Sequence, residues 1–460
     1  MAQNVDLVVL GGGGAGVYAA ARAAKLGATV ILVENRRIGG VCLNWGGPAT
    51  KTLTSTMELL KNVKNGSVVG IQGSVSVDWS TLRKYKDGMC ARFAKFAEIA
   101  LTRSGVTILN GTGEILSPST VKITLTTGEE ELVNTRNILI AVGSQPTTIP
   151  GVKLEDPILD SDKLLDLDTP PKTLLVIGGG VVGLEFATIF NLLGTQVTVI
   201  ELLPTLLPTD EPEVGAFLKR HLKKEGMHVF LESRVTNITP VDDGAEITIQ
   251  TPTEELTMST EKVLMAVGRH PNIDLQRLES LGVQTTRRGI IVDNRMQTSV
   301  PTIWAAGDVV APYLLANVAM REAKVAAENI AGTATTINYA MLPRAVFTIP
   351  EIAAVGLTEQ QARDKGLTVR TGKVNFRAHN FRAAATNKPE GLIKLVTQPD
   401  GTLLGATIVG AQASDLIAEF MLALANQMTT KEMSELMYIH PSYSEAILNA
   451  LETFEGKGLM

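Results

Sequence analysis

The chain has 460 residues, enough for about three domains. Hydrophobic residues at 45% and charged residues at 19% exclude a disordered chain, and a net charge of −5 gives no basic footprint, so nucleic acid is not an expected partner. The apolar runs are short and broken by glycine or charge, and no basic region precedes the first of them, so neither a membrane span nor a secretory signal is expected. Two cysteines, Cys42 and Cys90, cannot build a disulfide framework and fit a reducing, cytoplasmic setting.

Residues 4–34, NVDLVVLGGGGAGVYAAARAAKLGATVILVE, predict a strand, a glycine turn, an alanine-rich helix and a second strand ending in an acid. Gly11, Gly13 and Gly16 form G-x-G-x-x-G: a tight turn, a close backbone approach to a pyrophosphate, and a close helix–strand contact. The helix N-terminus offers free N–H groups to phosphate, and Glu34 can accept from a ribose. Next comes GGVCLNWGGPATKTL (39–53), with Cys42, Gly47 and Lys51. Cys90 lies in YKDGMCARFAKFAEIALTRSG, a predicted helix with an apolar face, where cysteine is usually a small core residue.

NILIAVGSQP (137–146) predicts a strand crossing at Gly143, and the paired prolines of DTPPK (168–172) mark a connection between domains. Residues 172–201 then repeat the first pattern with Gly178, Gly180, Gly183 and a terminal Glu201, which predicts a second dinucleotide site. A carboxylate at 201 would repel a 2′-phosphate, and Leu202 and Leu203 stand where an NADP site would want arginine, so NAD is expected. KVLMAVGRHPN (262–272) crosses at Gly268, and PTIWAAGDVV (301–310) ends in Gly307-Asp308. YIHPSYSEAI (438–447) holds His440 with Glu445 beyond it. The tail from Leu451 reads as a fraying helix end.

The two fingerprints, the Gly307-Asp308 turn and the Cys42 loop, in this order, resemble the pyridine nucleotide–disulfide oxidoreductase family, and in motif terms its dihydrolipoamide dehydrogenase branch. FTIPEIAAVGLTEQQAR and LLGATIVGAQASDLIAEF are similar to that family's dimerisation domain. The resemblance implies an α/β fold of two doubly wound, Rossmann-like dinucleotide-binding domains with an α+β dimerisation domain. It implies FAD on 1–150 with 273–338, held by the first fingerprint, Glu34, Gly143 and Asp308. NAD would lie on 151–272, held by the second fingerprint, Glu201 and Gly268. Residues 339–460 would form a homodimer, with an acyl-transferase or lipoyl-type protein as a further partner. Lys51 would sit near the flavin paired with Glu185, and His440, held by Glu445, would reach the partner subunit's flavin site as acid/base. No metal is implied.

The family loop carries a second cysteine five residues after the first, and here that position is Gly47. Cys42 therefore has no neighbour for a disulfide, and Cys90 is a poor substitute. A helix N-terminus near Cys42 is expected to lower its pKa. The small side chains after Trp45 suggest that a second substrate reaches the flavin directly. Alternatives are single-thiol sulfur chemistry at Cys42, a soluble transhydrogenase or diaphorase, and a catalytically silent flavoprotein scaffold.

Overall fold

A computed structural model describes residues 3–376 and 380–458. The first sheet is built from β1 (Gln3–Leu10), β2 (Val30–Glu34), β3 (Thr107–Ser117), β4 (Thr120–Leu125) and β5 (Glu130–Ile140), with Ile303–Ala305 added from far along the chain. β1 pairs in parallel with both β2 and β5, and Ile303–Ala305 extends the parallel set beyond β5. β3 runs parallel to β2 over Thr107–Asn110, then turns antiparallel against β4. Leu7 to Leu10 are at most 4% exposed, the unbroken burial of a strand covered on both faces.

Helix α1 (Gly14–Lys25) crosses between β1 and β2 and packs through Ala15, Ala19 and Ala23 against Ala319 and Ala323 of the helix Ala316–Ile330. Alanine on both sides lets the two helices approach closely. The carboxyl ends of β1, β2, β5 and Ile303–Ala305 lie together, and each leads into a residue singled out by its motif: Gly11, Glu34, Gly143 and Gly307. This is the edge at which open α/β sheets bind ligands.

The second sheet is parallel throughout, in the order His228–Phe230, Gln196–Ile200, Thr173–Ile177, Lys262–Met265, Ile158–Leu159. An antiparallel meander, Arg234–Val241, Gly244–Gln250 and Glu255–Thr260, accompanies it. The chain passes between the two sheets along an antiparallel pair, Ser144–Pro146 with Arg269–Pro271. A third, antiparallel sheet orders Arg344–Val346, Glu351–Gly356, Leu403–Gly410, Leu392–Thr397 and Arg370–Asn375. Helices Ala413–Ala425 and Glu445–Phe454 pack on it through Phe420, Ile447 and Leu451. The described chain is α/β: two doubly wound sheets, the first mostly and the second wholly parallel, and an α+β unit. No helix among the described residues is long and apolar enough to cross a membrane.

Helix α2 (Gly47–Lys64) touches both α3 (Trp79–Arg103) and Val181–Leu193, so it bridges the two parallel sheets. The second and third sheets are joined by a buried cation. Lys394 is 4% exposed and its Nζ donates to Glu211 at 2.8 Å and to Glu213 at 3.0 Å, with Glu359 also at 3.0 Å. Those hydrogen bonds outweigh the cost of burial and push its pKa up, so it stays charged. Removing it would leave Glu211, which is 2% exposed, without its cation and, among the described residues, with only the Glu359 N–H as a partner. Lys394→Ala is therefore expected to cost about 3–5 kcal/mol in chemical denaturation, against much less for a substitution at exposed Lys365.

Candidate functional site

A cleft of about 1060 Å³ runs from the end of β2 to the start of the helix Val181–Leu193, lined among others by Glu34, Cys42, Gly47, Lys51 and Asp308. At one end stands the first glycine turn. Gly11 has φ +100°, and a Cβ on it would lie 2.4 Å from the Ala141 carbonyl oxygen. A Cβ on Gly16 would lie 1.8 Å from the Gly11 carbonyl oxygen. These two glycines are required by the protein's own packing. Gly13 is different: a Cβ there would have only Gly40 Cα, at 4.0 Å, within contact range, and the residue faces the cleft. Gly13 also precedes α1 without a side-chain cap, leaving the first N–H groups of the helix free for an anion. The middle glycine thus preserves space for a bound group, as a pyrophosphate requires, and the cleft fits a dinucleotide.

The second turn repeats this arrangement. Gly178 has φ +113° and its added Cβ would meet the Ala266 carbonyl oxygen at 2.3 Å. At Gly183 it would meet the Gly178 carbonyl oxygen at 2.1 Å, whereas at Gly180 it would meet nothing within 4 Å. Both acids serve the turn in the same way. Glu34 accepts from Gly12 N–H at 2.6 Å and from Arg36 N–H at 2.7 Å. Glu201 accepts from Gly179 N–H at 2.6 Å and from Leu203 N–H at 2.7 Å. Gly268 has φ +115° and lies outside the lining of the main cleft, while Gly143 lies within it.

At the other end of the cleft, Lys51 Nζ donates to Glu185 Oε2 at 2.8 Å. Glu185 is buried on the helix Val181–Leu193, and its Oε1 accepts from Phe347 N–H at 2.9 Å. The Phe347 ring lies under the same ammonium, 3.9 Å from Nζ to the ring centroid. Asp308 is held by its side chain: Ser144 Oγ donates to Oδ2 at 2.6 Å, and Arg269 Nε donates to Ser144 Oγ at 2.8 Å.

Cys42 overturns one expectation. It stands near a helix N-terminus, as expected, but its pKa is raised and not lowered. Residues 40–64 are one continuous helical run, and Cys42–Gly46 forms a π-helical turn within it. Burial pushes the Cys42 thiol up, and the neighbouring Asp308 charge pushes it further in the same direction. Desolvation of a thiolate outweighs any helix-end field here. Cys42 and Cys90 are both free, and Cys90 is buried on α3.

Gly47 has φ −49° and ψ −64°, ordinary helical backbone that any residue adopts. A Cβ there would have one neighbour, the Cys42 carbonyl oxygen at 3.7 Å, which is normal contact. Nothing in the fold requires glycine at 47, and its face opens into the cleft.

His440 Nδ1 lies 2.6 Å from Glu445 Oε1, and Glu445 Oε2 accepts from Ser442 N–H at 2.9 Å. The pair is outside the cleft of its own chain, and the His440 side chain is 66% exposed. Apolar Met437 and Ile439 beside it are exposed as well.

Two family profiles cover nearly the whole chain. The one described as pyridine nucleotide-disulphide oxidoreductase matches residues 5–327, and that family's dimerisation domain matches residues 342–451. The chain belongs to the pyridine nucleotide–disulphide oxidoreductase family. Members are enzymes that use FAD and NAD. A dihydrolipoyl dehydrogenase of Geobacillus stearothermophilus is 38% identical over 99% of this chain and 97% of its own length. One of Thermus scotoductus is 36% identical over 99% of each. The crystal structure of LpdA from Mycobacterium tuberculosis superposes with a TM-score of 0.89 at 27% identity, covering 98% of this chain and 99% of that one.

Within this oxidoreductase, Ser144, Arg269 and Phe347 hold the site without having been singled out by sequence. Ser144 and Arg269 each follow a motif glycine directly, which is the only local signal they carry. The raised Cys42 thiol has a measurable consequence. Alkylation of Cys42 by iodoacetamide should still be accelerating with pH above about 8.5, the ordinary thiol midpoint, and Asp308→Asn should bring that midpoint down. A rate already level at neutral pH would contradict the assignment.

Proposed function

We propose that this enzyme moves electrons between NAD(H) and a second substrate that enters the FAD cleft directly, without an internal disulfide. The observation carrying this is Gly47. The position five residues after Cys42 is open to the cleft and sterically free to hold a larger side chain, yet holds none. Residues 1–150 with 273–338 would bind FAD through Gly11, Gly13, Gly16, Glu34, Gly143 and Asp308. Residues 151–272 would bind NAD through Gly178, Gly180, Gly183, Glu201 and Gly268. Residues 339–460 would make the homodimer. Bound FAD would supply the two-electron chemistry between nicotinamide and substrate.

The chain's own residues divide the remaining work. Lys51, fixed by Glu185 and Phe347, holds a positive charge at the cleft wall, where it favours electron-rich states of whatever lies against it. Cys42, kept a neutral thiol by burial and Asp308, offers a hydrogen-bond donor rather than a nucleophile. This disfavours single-thiol sulfur cycling. His440, with Nδ1 committed to Glu445, presents Nε2 on an exposed face of the chain. Brought across a dimer, it would serve the partner's cleft as proton donor or acceptor. The geometry of the second glycine turn disfavours a silent flavoprotein scaffold, because it too keeps an open middle glycine, which a flavin at the first turn does not need.

The test uses the purified holoenzyme, reduced anaerobically with NADH and then offered lipoamide, small disulfides, quinones or activated alkenes. Reoxidation is expected with a non-disulfide acceptor and to be slow with lipoamide. Gly47→Cys, which places a second thiol on unstrained helical backbone, should raise lipoamide turnover by at least about tenfold, a barrier change of about 1.4 kcal/mol. Lipoamide turnover in the unmodified enzyme equal to that of Gly47→Cys would sink the proposal.

His440→Ala is expected to slow reoxidation by about 10²-fold while leaving reduction by NADH intact, as loss of a general acid/base at one half-reaction should. Stopped-flow measurement of the two half-reactions separates them.

A further inference from the structure

Outside the Cys42 loop, the buried Glu322, backed by the part-buried Tyr339, reaches the Gly307-Asp308 turn. Glu322, on the helix Ala316–Ile330, is 3% exposed. Its Oε2 accepts from Gly307 N–H at 2.7 Å, and its Oε1 accepts from the Tyr339 hydroxyl at 2.6 Å. Both oxygens accept, which is the bonding pattern of an ionised carboxylate. Gly307 has φ +82°, and a Cβ there would lie 3.0 Å from Ala15 Cβ, so the turn demands glycine and can be fixed only through its backbone. The next residue, Asp308, is fixed by its side chain through Ser144 and Arg269.

We propose that Glu322, supported by Tyr339, is a positioning residue that locks the Gly307-Asp308 turn for FAD when ionised and loosens it when protonated. The inference rests on the reading above that Asp308 meets FAD.

Burial pushes the Glu322 carboxyl up to about 7, against the Tyr339 and Gly307 hydrogen bonds that lower it, and the Asp308 charge adds to the upward push. A carboxyl that gains a proton on Oε1 donates there, so the Tyr339 hydroxyl turns from donor to acceptor, and the bond from Gly307 N–H loses its charge assistance and weakens. Among the described residues no cation is close enough to compensate. Helix α1 meets this helix with Ala15, Ala19 and Ala23, its Arg22 is tied to Glu328 at 2.8 Å, and Tyr313 packs behind Tyr339 with ring centroids 5.0 Å apart. The sign follows. If FAD prefers the ionised form, its affinity is full above the Glu322 midpoint and falls as pH drops through it.

The test follows FAD fluorescence during release from the purified holoenzyme between about pH 5 and about pH 9, a range that brackets a midpoint near 7. The unmodified enzyme should lose about tenfold in FAD affinity across the acid limb. Glu322→Gln should flatten that limb. Tyr339→Phe should move the midpoint upward, because the hydrogen bond it removes holds the Glu322 carboxyl down. If Asp308→Ala weakens FAD while Glu322→Gln keeps the unmodified pH dependence, the inference is overturned. The same holds if Glu322→Gln only weakens FAD equally at every pH. Should Glu322→Gln not fold, an unshifted midpoint in Tyr339→Phe overturns it. FAD held by Asp308→Ala as tightly as by the unmodified enzyme would instead refute the reading of the site.

Discussion

A buried carboxylate costs several kcal/mol unless it is paired and hydrogen-bonded. Glu185 is such a group, and its two partners come from distant parts of the chain: Lys51 on α2, and the backbone of Phe347 in the third sheet's first turn. The carboxylate can be satisfied only where all three parts meet. The pair therefore fixes the wall of the cleft and the mutual placement of α2, the helix Val181–Leu193 and the third sheet together. Phe347 contributes twice, with an N–H to the acid and a ring face to the ammonium. Lys51 gains a defined position from this while keeping about a third of its side chain open.

The two glycine turns follow a shared logic of divided labour. In each, the outer glycines are demanded by backbone contacts inside the protein, and the acid at the end of the second strand braces the turn by accepting an N–H from it. Only the middle glycine is left for a ligand. The acid is thus held in place by the turn itself, so under the proposed function less would be spent on ordering it when a ligand arrives.

Features set by local sterics are legible in the sequence. Positive φ at Gly11 and Gly178, the strand–turn–helix rhythm, and the i to i+5 relation of His440 and Glu445 all depend on near neighbours in the chain. Features set by tertiary contact are not. Glu322 and Tyr339 meet across a loop, Ser144 reaches Asp308 across 164 positions, and Phe347 reaches Glu185 across 162. The misjudged thiol belongs to the second group. Reading a helix end near Cys42 ignores what covers it, and burial decides the direction.

Cys42 and Gly47 make physical sense together. A thiolate is the useful form of cysteine when a second sulfur lies close enough to attack, and a low pKa then favours it. With an open position at 47 there is no such sulfur, and a charged Cys42 would be an unpaired anion beside Asp308. Burial and Asp308 instead keep the proton on the sulfur. The loop offers space and a weak donor, and the glycine turns, the Lys51–Glu185 pair and the Asp308 tether are all in place around the cleft. Under the proposed function, a cleft of this kind with no second thiol beside Cys42 suits an electron acceptor other than a disulfide.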